Sequence, residues 1–195
     1  MGGFRKPPMT TFSPYLKHLN AQLDTVQKDA EVSEEILRLM DRLSPGSQTE
    51  AMVQARLTFK AQQGLYLWMR DEITRLIRLE APTDFIPMVD TLTSRVADCL
   101  GGKRVSLHVR LVAMVNRTVA FPSGKTETGD YYGASMVIPD PRWIGEVQDF
   151  LLIHLPGEGV VVSHGDSLST VVQTVDEAFA YINVVMGGEL TAPDV

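Results

Sequence analysis

Gly101-Gly102-Lys103-Arg104-Val105-Ser106-Leu107-His108-Val109-Arg110-Leu111 is where the hydrophobic period of the chain changes. Upstream of it, Phe85, Val89, Leu92, Val96 and Cys99 follow a four-three spacing that puts them on one face of a helix. Downstream, Val105, Leu107, Val109 and Leu111 alternate with Ser106, His108 and Arg110, which is the period of a half-buried strand. The glycine pair supplies a helix C-cap and a hinge between the two regimes. A chain that is helical before this point and strand-rich after it reads as α+β, with helices and sheet segregated along the sequence.

Toward the N-terminus, the helix that ends at the glycine pair opens after a Thr83 or Asp84 cap, with Pro87 in its first turn. Ala81-Pro82 stops a longer helix whose seam is Met52, Ala55, Phe59, Tyr66, Met69, Ile73 and Leu76, with Gln62 as a polar interruption. Ser47-Gln48-Thr49-Glu50 reads as its capping box. Before that, Leu16, Leu19, Leu23, Val26, Ala30, Leu37 and Met40 form a heptad seam like that of a coiled coil, interrupted by Ser33, after a Ser13 cap and Pro14 at the first helical position. Ser44-Pro45-Gly46 ends it. Two such helices on a short connection run antiparallel, each roughly 45 to 50 Å long at 1.5 Å per residue. The second also carries Val53, Leu57, Leu65, Leu67, Trp68 and Ile77 off its seam, more apolar surface than one partner helix covers.

Toward the C-terminus the strand signal runs on toward Phe121, and a polar loop follows over 122–130. Tyr131 to Ile138 reads as a strand, and Pro139-Asp140-Pro141 as a break before a turn or short helix around Trp143. Phe150 to Leu155 and Gly159 to His164 flank Pro156-Gly157-Glu158, which is hairpin chemistry, so the sheet is expected to be mostly antiparallel. Thr174-Val175-Asp176-Glu177 is a second capping box, opening a helix that Gly187-Gly188 closes. The organisation expected is therefore an extended arm over 1–13, a helical hairpin with a third helix over 14–100, a strand-rich acidic α+β domain over 103–188 and an acidic tail over 189–195.

Charge and composition exclude several roles. The net charge of −6 on 195 residues is uneven: residues 1–104 carry 14 basic and 13 acidic side chains, while 105–195 carry 4 and 11. An acidic second half repels phosphate backbones, so nucleic acid is a disfavoured partner. No apolar run approaches the roughly 20 residues of a membrane span, and no apolar stretch of a secretory signal follows Arg5 and Lys6. Cys99 is the only cysteine. A cytoplasmic, reducing compartment fits that usage, with incorporation into a virion or another large complex as a further expectation.

Few residues carry the spacing of a known chemistry. Pro122-Ser123-Gly124-Lys125-Thr126 reproduces the end of a phosphate-binding loop, but the glycine needed five residues before Gly124 is Val119. Val160-Val161-Val162-Ser163-His164-Gly165-Asp166 resembles the strand and histidine of the late motif of histidine phosphatases over these seven residues. That family's nucleophile belongs to an Arg-His-Gly motif, which the chain lacks. What is left as catalytic candidates is His164, which could serve as a general base, and Asp166. His18, His108, His154 and His164 have no helical ligand spacing, and pairing of Leu155 with Val160 would put His154 and His164 on opposite faces. No metal and no cofactor is expected.

The function expected is a non-catalytic interaction or assembly subunit, of a large complex such as a virus particle, that binds a protein partner or itself through the helical half. Leu57, Leu65, Trp68, Arg70 and Ile77 are its interface candidates, Arg70 belonging to a mildly basic face with Arg56, Lys60, Arg75 and Arg78. The alternatives are a small histidine-dependent hydrolase or phosphotransfer protein using His164 and Asp166, and a regulatory inhibitor of one target protein.

Overall fold

The computed structural model describes residues 14–42, 49–114, 129–165 and 168–190. Its elements are α1 (Pro14–Asp41), α2 (Glu50–Glu80), α3 (Phe85–Cys99), β1 (Ser106–Met114), β2 (Gly129–Pro139), β3 (Val147–Leu155), β4 (Gly159–His164), β5 (Leu168–Val172) and α4 (Val175–Val185). The five strands form one sheet in the order β1-β2-β3-β4-β5, with every neighbour antiparallel. The protein is α+β, and no described helix is long and apolar enough to cross a membrane.

Period and capping chemistry set the helices. On α1 the heptad seam is buried from Leu16 to Leu37, Ser33 included. Helix α2 starts from Thr49 and not from the expected Ser47 cap: the helix begins at Glu50, and the Thr49 hydroxyl accepts from the Met52 N–H at 3.3 Å. The expected caps Ser13 and Ser47 lie outside the described residues, as does the Ser44-Pro45-Gly46 stop. Helix α3 follows Asp84, whose side chain makes no capping bond. Helices α3 and α4 end alike. Gly102 N–H reaches the Ala97 carbonyl at 2.9 Å and Gly188 N–H reaches that of Asn183 at 2.8 Å, with both glycines at positive φ. At the start of α4 the Thr174 hydroxyl accepts from Glu177 N–H, while the Glu177 carboxylate accepts from Gln173 N–H, one residue ahead of the cap.

One face of the sheet packs on the helices. Val109, Leu111, Ala134, Met136, Ile138, Phe150, Leu152, Val160, Val162 and Val172 meet the buried faces of α3 and α4, the first half of α1 and the end of α2 in a single core. That core crosses the Gly101-Gly102 junction. It includes Leu190, whose N–H donates to the Asn183 side chain at 2.9 Å, so the segment expected as a tail begins with a core residue. Arg95 fastens α3 to α4, pairing with Asp176 and lying 4.2 Å from the centre of the Phe179 ring. Arg78 fastens α2 to α3 through Asp90 at 2.5 Å. At the β1 edge the Asn20 side chain accepts from Leu111 N–H at 2.7 Å and donates to Leu111 C=O at 2.9 Å, so α1 occupies hydrogen-bonding positions where a sixth strand would pair.

The hairpin extends beyond this core. Before Tyr66, α2 contributes no residue to it, and Ala30, Ser33 and Leu37 of α1 are buried outside it. Of the 31 residues of α2, only Ile73 and Ile77 are buried. Arg56 of α2 pairs with Asp41 at the end of α1.

Candidate functional site

His164 ends β4 on the helix-facing side of the sheet, half-buried, with its ring 5.0 Å from that of Phe150. Its Nε2 lies 2.7 Å from Gln148 Oε1, and Gln148 Nε2 donates to Asp140 Oδ2 at 2.8 Å. The Asp140 side chain is fully buried and accepts from the Arg142 backbone N–H at 2.9 Å, from Nε at 2.9 Å and from Nη2 at 2.7 Å. The Arg142 bonds, with that of Gln148 added, outweigh burial and hold the Asp140 carboxyl well below the usual carboxylate range. A carboxylate only accepts, so Gln148 must turn its amide NH2 to Asp140 and its carbonyl to His164. His164 Nε2 therefore donates. In this arrangement that nitrogen has no free lone pair for general-base work.

The chain of contacts from Arg142 through Asp140 and Gln148 to His164 braces the β2–β3 connection against the end of β4. That connection forms turns and no helix around Trp143. It is closed by Asp140 N–H to Glu146 C=O at 2.9 Å, and it leaves Trp143 and Ile144 exposed beside a cleft of about 250 Å³ that Lys103 and Val147 also line. This apolar tip was not singled out by sequence reasoning, although Trp143-Ile144-Gly145 after a Pro-Asp-Pro break is its signal. Asp166, the other catalytic candidate, lies outside the described residues, and so do Val119 and the Pro122–Thr126 stretch.

The hairpin register differs from the expected one. Leu155 pairs with Gly159 and His154 with Val160, because the turn uses three residues and Gly159 enters the ladder at φ +106°. A Cβ there would sit 2.4 Å from the Val172 carbonyl, so only glycine fits that pairing position. The shift by one residue puts His154 and His164 on the same face rather than on opposite faces. They are still kept apart, because four residues along the strand are roughly 13 Å. His154 instead packs against Phe85 at 5.6 Å and stands 3.6 Å from Asp84. Among the described residues no group of three or more His, Cys, Asp or Glu side chains is placed to hold a metal ion. Cys99 is half-buried.

The interface candidates divide. Leu57, Leu65 and Trp68 are 57%, 54% and 64% exposed, together with Val53 on the same helix. Ile77 is fully buried in the core and is removed from that surface. It lies on the α1 side of α2 with Tyr66, Ile73 and the half-buried Gln63, while Gln62, the expected polar interruption, is exposed. Arg70 is half-buried and bonds Asp71 through Nε at 3.0 Å and Nη2 at 2.8 Å. No protein-family model matches this chain, and no curated protein or solved structure shows significant similarity to it.

Proposed function

We propose that the protein is a non-catalytic interaction or assembly subunit that engages another polypeptide through the outer face of α2. The observation that carries the reading is the exposure of Val53, Leu57, Leu65 and Trp68 along a helix that extends beyond the core and has α1 only on its other side. Apolar side chains scattered singly on a surface need no explanation, whereas several along one helix face, with a tryptophan among them, have the composition of a docking surface. For the histidine-dependent alternative the commitment of His164 Nε2 to Gln148 leaves Nδ1 as the nitrogen that could act as a base.

Capture of binding partners from an extract of the source cells, with wild-type protein and with Leu57→Asp/Trp68→Ala as bait, tests the proposal. Binding lost in the double variant at an unchanged melting temperature supports it. Equal capture by both baits, with loss of biological activity in a normally folded His164→Ala variant, refutes it.

A further inference from the structure

Seven residues of α2 lie on one stripe half a turn away from Met52, Phe59, Tyr66 and Ile73, the side that faces α1. They are Glu50, Leu57, Ala61, Gly64, Trp68, Arg75 and Leu79, and all seven are exposed. At 3.6 residues per turn they fall within a sector of about 60°. The first six are spaced seven, four, three, four and seven residues, which reads the same in both directions, and Leu79 follows four residues beyond them. The chemistry of those six is also matched about the midpoint between Ala61 and Gly64. The two central residues are small, the next pair is large and apolar, and the outermost pair of the six carries opposite charges.

Gly64 adds a separate argument. Glycine in the middle of a helix is disfavoured relative to alanine, and here a Cβ would meet nothing within 4 Å. No contact among the described residues accounts for its small size. A helix from outside that approaches closely at this point would account for it.

Resting on the docking reading above, we infer that the occupant of this face is a second copy of the same chain, with the two α2 helices packed antiparallel about a two-fold axis between Ala61 and Gly64. Each Ala61 then meets Gly64 of the other copy at the closest approach, Leu57 meets Trp68 on either side, and Glu50 meets Arg75 at both ends. A two-fold interface makes each contact twice, which is the arrangement a palindromic stripe matches. Charge selects the direction: a parallel pair would set Glu50 against Glu50 and Arg75 against Arg75. Within its own chain Arg75 uses Nε and Nη2 to hold Glu72, at 2.9 and 2.6 Å, so Nη1 remains to donate to Glu50.

Light scattering on the purified full chain over a concentration series is the test. Wild-type protein is expected to approach twice the 21.6 kDa chain mass. Glu50→Arg and Arg75→Glu should each weaken the dimer about tenfold, because each sets like charges together at both ends, and the double reversal should regain most of the loss. Gly64→Leu should leave a folded monomer, since the new side chain blocks the crossing while favouring the helix. A strictly monomeric wild type overturns the inference, and so does a dimer indifferent to Gly64→Leu and to the charge reversals. A monomer that still captures another protein in a Trp68-dependent manner overturns the second-copy assignment and leaves the docking reading standing.

Discussion

Removing the Asn20 side chain should loosen the whole attachment of α1 to the sheet. Its amide satisfies both the N–H and the C=O of Leu111 on the edge of β1, at 2.7 and 2.9 Å, and Leu111 is only 6% exposed. Each such bond contributes about 0.5–1.5 kcal/mol net, and more where the abandoned partner stays poorly hydrated. Asn20→Ala should therefore cost about 2–3 kcal/mol. In a chain of this size that corresponds to a fall in melting temperature of roughly 4–10 °C. Urea denaturation with an unchanged m-value would show that stability has changed rather than the extent of unfolding.

Asn20→Asp separates the two bonds. The carboxylate keeps an acceptor for the Leu111 N–H but sets a negative oxygen against its carbonyl, so at neutral pH this variant should be no more stable than Asn20→Ala. The carboxyl is favoured in its protonated form in the fold, which raises its folded pKa. Stability relative to wild type is then regained as the pH falls through that pKa, near or above the ordinary value of about 4. An Asn20→Ala variant within about 0.5 kcal/mol of wild type, the range of ordinary surface substitutions, would refute the claim that this side chain holds the edge.

Two further outcomes are expected. Because one core crosses the Gly101-Gly102 junction, single-tryptophan variants that retain only Trp68 or only Trp143 should report the same denaturation midpoint, and separated midpoints would show that the halves unfold independently. Burial first, then the positive charges of Arg70 and Arg110, hold the His108 imidazole below its ordinary value of 6.5. The unfolded chain binds that proton more readily, so stability should fall as the pH drops below about 6.5, and His108→Gln should flatten that part of the pH–stability curve. An unchanged slope in the variant would remove His108 as the cause.

Wherever the determining interaction is local, the primary structure was sufficient. The seam of α1, the Thr174 cap, the paired glycines after α3 and α4, and the alternation in β1 each depend on neighbours within a few residues, and each sits where its pattern places it. What Leu57, Leu65 and Trp68 face did not follow from that pattern, since off-seam residues can meet a third helix, a partner or solvent, and the structure leaves all three exposed. Ile77 did not follow, because which side of α2 it joins depends on where α1 and the sheet lie. The partnership of Asp140, Arg142, Gln148 and His164 forms only after two connections and three strands have taken register, so no spacing along the chain reveals it. The face shared by His154 and His164 depends on whether Gly159 is a turn residue or a paired one. A single-residue slip inverts every side chain of a strand, and the choice is made by the close approach of the Val172 carbonyl, thirteen residues further on, which leaves room for glycine alone.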